Sequence, residues 1–400
     1  MKKTGVCLDP WDIPPSYSNN IDPVIENGPS PYWEDPYSTG IAATPFAQKE
    51  DDFLYGYGGK GQGHYERYLQ PTTPCCEGVQ RPLVTTNGPT FKEVIYNCTD
   101  SNDDTMCPYE EVDIDCWNVS LVTDMESAFV DKKNNTINFN SPLGCWNTGS
   151  VTTMSGMFFY ARSFNQDINS WKTGNVQDLT NMFNEAESFN SPIGDWDTGA
   201  VTNMVQTFAG AYAFDQDIND WDTGLVSDMT ATFLIATSFN QDLNGWNTEN
   251  VQSMIGTFIR AASFNQDLNS WNTGNVKAMS LMFLNATYFN GPIGDWYVDQ
   301  VTDMNGMFSD SANFNQPIGG WSTGKVQSMA GMFQNATSFN ASINEWDVGQ
   351  VSSMDSMFRY SSNFNQDLND WNTGNVQSIS PWGLCSLGQL ISTDLLMAGT

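Results

Sequence analysis

The apolar residues of this chain fall into columns. Trp146, Trp171, Trp196, Trp221, Trp246, Trp271, Trp296, Trp321, Trp346 and Trp371 recur every 25 residues without an insertion. Phe stands seven residues before each of them (Phe139 through Phe364), and Ile or Leu three before (Ile168, Leu243, Leu368). Val follows at five (Val151 to Val376), Met at eight except for Leu179 and Ile379, Phe at twelve (Phe158 to Phe358) and Ala or Ser at fifteen (Ala161, Ser311). Phasing this strict means that each column packs on its own copies. The chain is therefore a stacked array whose units cannot enclose a core alone.

Spacing predicts the local elements. Val176, Leu179, Met182, Phe183 and Ala186 lie at i, i+3, i+6, i+7 and i+10, one face of a short helix. Ile168–Trp171, apolar at its ends, fits a short strand. Gly149, Gly174, Gly199, Gly224, Gly274 and Gly324 sit in a W-x-T-G-x-V segment, where a tight turn with positive φ is expected. Glu249 and Asp299 replace that glycine twice. The fold class is an α/β repeat solenoid, each unit a short strand, a glycine turn and a short helix.

A polar column runs beside the core. Asn follows the first Phe of each unit (Asn165, Asn190, Asn240, Asn265, Asn290, Asn315, Asn340, Asn365), with Asp215 as the exception. Stacked in this way, the side chains predict a hydrogen-bonded ladder that serves the backbone, a structural role.

The ends differ. Trp117, Val122, Met125, Ala128 and Phe129 form a degenerate first unit, an N-terminal cap, and Pro381 stops the pattern. Three regions result: an irregular Pro-, Gly- and Tyr-rich leader at 1–110, the solenoid at 111–380, and a C-terminal cap or tail at 381–400. Seven of the eight cysteines precede Val151, which suggests disulfides that staple the leader and the cap. Cys75 and Cys76 are adjacent and match no zinc spacing.

Charge and chemistry narrow the function. With 15 Lys and Arg against 46 Asp and Glu, the chain lacks the cations that nucleic acid or an anionic membrane requires. No apolar run is long enough for a transmembrane segment, and the basic opening MKKTGVCLDPW has no apolar stretch behind it, so no signal peptide is legible. The single histidine, His64, leaves no His-based triad or metal cluster, and no catalytic residue or cofactor is expected. Carboxylates flank Trp196 (Asp195, Asp197) and again Trp221 (Asp220, Asp222), a repetition that suits solvated acids better than a catalytic pair. The Trp column, in register with the other apolar columns, is read as core and not as a carbohydrate platform.

Two site expectations follow. Asp217, Asp242 and Asp267 share one column in three consecutive units and are candidate calcium ligands. Among the sequons at Asn97, Asn118, Asn134, Asn285, Asn335 and Asn340, Asn285 and Asn335 lie in one column outside the core and are candidate glycan acceptors, whereas Asn340 belongs to the polar ladder.

Units such as Phe264-Asn-Gln-Asp-Leu-Asn-Ser-Trp271-Asn-Thr-Gly-Asn-Val276, followed by Met279, Met282, Phe283 and Ala286, resemble the BspA-like leucine-rich-repeat surface proteins. The similarity is to their 25-residue branch first catalogued in mycoplasma lipoproteins, and it covers 111–380. It implies a leucine-rich-repeat-like stack at the cell surface or outside the cell, with adhesion or binding of another protein or a surface glycan as its role. The alternative is a structural extracellular-matrix component with an acidic face for calcium or mineral. Divergent central units would favour recognition.

Overall fold

The structure is a computed structural model that describes residues 76, 78–99, 108–109, 112–130 and 139–378. The chain divides into two compact units, Met1–Thr72 and Thr73–Thr400, of which only the second contains described residues. The tail from 381 onwards and Cys7, Cys75, Cys107 and Cys385 lie outside them.

Thr73–Thr400 contains a solenoid of 25-residue coils. Each coil meets the next through a single parallel bridge seven residues after its tryptophan, running Asp124, Thr153, Asp178, Asn203 and on to Ser378. The apolar columns form one continuous core, with Trp171, Val176, Leu179, Met182, Phe183, Ala186, Phe189 and Ile193 all buried. The indoles of successive coils lie 6.0–6.5 Å apart, tilted by 7° or less. That is the range of offset aromatic stacking. Within a coil, Phe233 stacks on Phe239 at 4.2 Å, and across coils on Phe258 at 5.5 Å.

The short helix expected at Val176–Ala186 is instead a run of turns. Two residues per coil adopt the left-handed conformation, here Asn181 (φ 56°) and Glu185 (φ 59°), and these interrupt any α-helix. Backbone N–H groups alternate in direction. Met182, Asn184 and Ala186 donate three residues back, to Leu179, Asn181 and Phe183, whereas Asn181, Phe183 and Glu185 donate to Val205, Thr207 and Ala209 of the next coil. Three-residue turns place the same side chains inward as a helix does, so the spacing reads alike. The hydrogen bonds leave the coil because the adjacent coil offers carbonyls in register. The strand expected at Ile168–Trp171 is likewise absent, and the ladder sits at the bridge position after the turn.

The glycine turn needs a second correction. None of Gly149, Gly174, Gly199, Gly224, Gly274 and Gly324 has positive φ. Where Asn or Asp follows the tryptophan, its side chain holds the turn N–H: Asp222 Oδ1 accepts from Gly224 at 2.9 Å and Asn272 Oδ1 from Gly274 at 3.1 Å. Glu249 is accommodated for this reason, its N–H bonding Asn247 Oδ1 at 3.0 Å. Crowding does not force glycine here either: a Cβ on Gly174 would meet Asp197 Oδ2 at 2.6 Å, but that is the movable end of an exposed side chain.

Polar columns satisfy the buried backbone. Each Trp Nε1–H donates to the Ile or Leu carbonyl of the preceding coil, at 2.8–3.1 Å from Trp171 to Trp371. The Asn column forms the expected ladder by side chain to backbone: Asn240 Oδ1 accepts from Asn265 N at 2.9 Å and Asp215 Oδ1 from Asn240 N at 2.9 Å. A buried threonine column adds bonds such as Thr248 Oγ1 to Asn272 O at 3.0 Å.

The N-terminal boundary lies earlier than 111. Helix α1 (Gly88–Thr99) buries Phe91 and Ile95 in the array's core, and Phe91 meets Trp146 edge-on at 6.0 Å. Val84 N bonds Asn118 O, and a disulfide joins Cys76 to Cys116. Cys98 and Cys145 are also disulfide-bonded. Part of the region read as an irregular leader therefore covers the first coil, because the open end of an apolar stack needs a lid.

Candidate functional site

Columns that face the core hardly vary, so any site must lie on positions that do. The run of turns presents four such positions, at nine, ten, thirteen and fourteen residues after the tryptophan. In the early coil of Trp171 they are Thr180, Asn181, Asn184 and Glu185, and in the later coil of Trp296 they are Asn305, Gly306, Ser309 and Asp310.

Between these two coils the same columns turn apolar, and the coil of Trp146 also places Phe159 and Tyr160 in them. Val205, Leu234, Ile235, Ile255, Ile259, Leu281 and Leu284 are half-buried and stand outside the core cluster. Backbone bonds fix their adjacency: Ile235 N donates to Ile259 O at 2.7 Å, Ala231 N to Ile255 O at 2.8 Å, and Leu284 N to Leu281 O at 3.0 Å. The patch spans consecutive central coils, with Arg260 exposed at one margin.

Ile235 carries backbone strain as well. Its φ of 58° is left-handed, a region that β-branched residues avoid. The equivalent positions hold Gly210, Asn285 and Asn335, which adopt it readily, and Tyr160, Glu185, Arg260, Asp310 and Tyr360, so the left-handed turn is common to the coils and Ile235 is set apart only by its β-branch. An isoleucine there is unfavourable for the backbone by about 1–2 kcal/mol and contributes nothing to the core cluster. Strain of this kind points to a side chain retained for contact with something else.

A second irregularity lies near the tryptophan corner. The coil reads Trp296-Tyr-Val-Asp-Gln where others read Trp271-Asn-Thr-Gly-Asn. Tyr297 is 68% exposed and borders a concavity of about 680 Å³ lined by Asn269, Asn272, Asp295, Asp299, Gly320 and Ser322.

The calcium candidates are exposed and engaged in turns. Asp217, Asp242 and Asp267 each accept, through Oδ1, the N–H two residues on, from Asn219, Asn244 and Asn269 at 3.0, 2.9 and 2.8 Å. Among the described residues, no group of three or more His, Cys, Asp or Glu is gathered to hold a metal ion. Asn285 and Asn335 are exposed, both with left-handed backbone, and Asn335 Nδ2 donates to Asp310 Oδ1 at 2.8 Å. Asn340 Oδ1 accepts from Asn365 N at 2.9 Å, within the ladder.

One titratable cluster stands at the N-terminal side of the apolar patch. Burial pushes the Glu185 carboxyl above its ordinary value; Arg162 opposes this and Glu187 adds to it. Burial also raises Tyr160, helped by Glu185. Arg162 Nε pairs with Glu187 Oε1 at 3.0 Å.

Reading the sequence by its constant columns missed the apolar patch and Tyr297. The signal was present in the variable columns, where Leu234, Ile259 and Leu284 succeed one another 25 residues apart.

Among the described residues no helix is long and apolar enough to cross a membrane. No match to the chain was found among curated proteins. Among solved structures, a leucine-rich-repeat protein from Leptospira interrogans is similar over 56% of this chain and 72% of its own, at 6% identity and a TM-score of 0.20. A likeness so slight carries no argument. A family model matches three times in overlapping succession, at 101–221, 202–321 and 282–382, together more than half of the chain. The tandem matches agree with the 25-residue phasing and the stacked coils, and the chain belongs to the family described as Mycoplasma protein of unknown function, DUF285.

Proposed function

We propose that this protein is a non-catalytic recognition module, displayed at a cell surface or secreted, which holds a protein partner against the apolar face of its central coils. The observation that carries the reading is the strained, half-buried Ile235 beside Leu234, Ile259 and Leu284. Apolar side chains succeed one another over the central coils, and the same columns are polar in the flanking coils of Trp171 and Trp296, which matches the composition of an interface core with a polar rim. The net charge of −31 favours a cationic partner over a second copy of this chain. Surface display and adhesion rest on the resemblance to BspA-like proteins.

The test uses the full chain with a photo-reactive amino acid at position 259 or, as a control, at the polar position 334. Expected is a discrete protein adduct from 259 alone, competed by excess wild-type chain but not by chain carrying Leu234→Asn, Ile259→Asn and Leu284→Asn. Equal competition by that variant would remove the apolar face from recognition. Surface biotinylation of intact cells tests display separately. The second reading, an acidic calcium- or mineral-binding face, is supported by the stacked column of Asp217, Asp242 and Asp267.

A further inference from the structure

The concavity beside Tyr297 is built by residues that the fold does not require. Most coils place Asn or Asp directly after the tryptophan, and that side chain caps the turn, as Asn272 Oδ1 and Asp347 Oδ1 do for Gly274 N and Gly349 N. Tyr297 cannot supply this cap. Its ring is instead 68% exposed, outside the core that the adjacent Trp296 and Val298 enter. Gly320 is equally unforced. Its φ is not positive, and a Cβ there would meet nothing within 4 Å. The corresponding Gly245, by contrast, is sterically obligatory, since its Cβ would lie 2.3 Å from Asn219 O. A tyrosine turned outward next to an unforced glycine, with only Ser322 in the next coil, leaves an aromatic wall with open space beside it.

The polar groups around that wall are held in place. Asn269 and Asp295 clamp each other across coils, Asn269 Nδ2 donating to Asp295 Oδ2 at 2.8 Å and Asp295 N to Asn269 Oδ1 at 3.0 Å. Thr273 Oγ1 donates to Tyr297 O at 2.8 Å and fixes the backbone that carries the ring. Asp299 Oδ2 accepts from Gln300 Nε2 at 2.9 Å. The site thus joins one exposed π-face, pre-positioned carboxylate and amide groups, and a shallow volume of about 680 Å³.

From this arrangement we infer that Tyr297 and its surroundings form a subsite for a neutral sugar ring. A pyranose presents one face of C–H groups, which packs on the electron-rich face of an aromatic ring. Its rim of hydroxyl groups matches the acceptors and donors of Asp295, Asp299, Asn269 and Asn272. The two carboxylates and the acidic chain disfavour uronic, sialic or sulfated sugars. The inference rests on the recognition reading only in taking the protein as a binding module; it uses different residues, so either can fail while the other stands.

Affinity electrophoresis of the full chain through gels containing neutral polysaccharides (a β-glucan, a mannan, a galactan and soluble chitin) tests it. At least one should retard the protein. Tyr297→Asn, the residue that Asn272 places in this column, should weaken retardation at least about tenfold, while Tyr297→Phe stays within about twofold. Gly320→Asp, the residue at Asp220 and Asp370, should also abolish it by filling the space. Melting temperature checks that each variant folds. Tyr288→Ser, which removes another exposed ring, should change nothing. No retardation by any of the four polysaccharides, undiminished retardation of Tyr297→Asn, or competition by tetramethylammonium in place of free oligosaccharide would overturn the proposal. The Leu234, Ile259 and Leu284 variants should bind the polysaccharide as wild type does.

Discussion

Trp246 donates its indole N–H to the carbonyl of Ile218, one coil back, at 2.9 Å. The same indole stacks 6.5 Å from Trp221 and 6.4 Å from Trp271. One side chain therefore supplies burial, ring stacking and satisfaction of a buried carbonyl at two coil interfaces. Trp246→Ala should destabilise the array by about 3–5 kcal/mol, the usual loss at an emptied aromatic site. Trp246→Phe keeps a ring but removes one of two donors to the Ile218 carbonyl, which still accepts from Trp221 N at 3.2 Å, so the lost hydrogen bond costs only about 1 kcal/mol. Chemical denaturation of both variants measures the order. If both unfolded like the wild type, the Trp column would be dispensable to the core.

Because every coil bonds only its neighbours, whole coils are removable. Deleting 239–263 joins Ser238 to Phe264 and returns every column to register. Deleting about half of that segment opposes Phe and Trp columns to polar ones. Circular dichroism and cooperative melting should survive the first deletion and vanish in the second. Equal loss in both would contradict stacked-coil stability.

The sequence showed which residues pack together far better than it showed what the backbone does. Val176, Leu179, Met182, Phe183 and Ala186 are all in the core as their spacing predicts. Their helix is missing because a three-residue turn and a helical turn give one inward face alike, and only the hydrogen-bond partner distinguishes them. Asn181 N bonding Val205 O is a contact 24 residues away, which local periodicity does not reveal. The candidate site was less legible for a related reason. Ile235, Leu284 and Tyr297 are unremarkable within their own units and conspicuous only against the equivalent positions of other coils.

Ile235 offers a separation of stability from binding. Asn tolerates the left-handed backbone, as Asn285 and Asn335 show at the same column. Relief of about 1–2 kcal/mol of strain offsets the partial burial lost with the side chain, about 1 kcal/mol. Ile235→Asn should therefore leave stability unchanged or slightly higher while reducing partner cross-linking from position 259. A destabilisation beyond about 1 kcal/mol would show that Ile235 serves the fold.

Glu185 gives a pH signature. Burial raises its carboxyl above the ordinary 4.5, and a Cβ on Gly210 would meet its Oε1 at 2.7 Å, so the space around it is tight. The folded chain thus keeps this proton to higher pH than the unfolded chain. The stability linked to it is fully present below 4.5 and is lost as pH rises through the folded value. Glu185→Gln removes that loss, so its melting temperature should exceed the wild type's at about pH 7 and approach it at about pH 4. Glu249→Gln, at an exposed turn position, serves as the control. A Glu185→Gln difference that stays constant across that range would rule out the buried carboxyl as its source.

The acidic column of Asp217, Asp242 and Asp267 decides between screening and a bound cation. Each carboxylate holds a turn through one N–H bond, and copies in adjacent coils lie about 5 Å apart by strand-like spacing. Like charges at that separation repel, and dissolved salt relieves this whether or not a cation binds. Calcium chloride and sodium chloride at equal ionic strength are therefore expected to raise the melting temperature equally. Asp242→Asn keeps an acceptor for Asn244 N and removes one charge, so it should stabilise the array at low salt and blunt its salt response. Asp242→Ala also removes one charge but loses the turn bond, for a net cost of about 1 kcal/mol relative to Asp242→Asn. A rise specific to calcium that Asp242→Asn abolishes would instead establish the metal-binding face, since only a coordinated ion distinguishes the two salts at matched ionic strength.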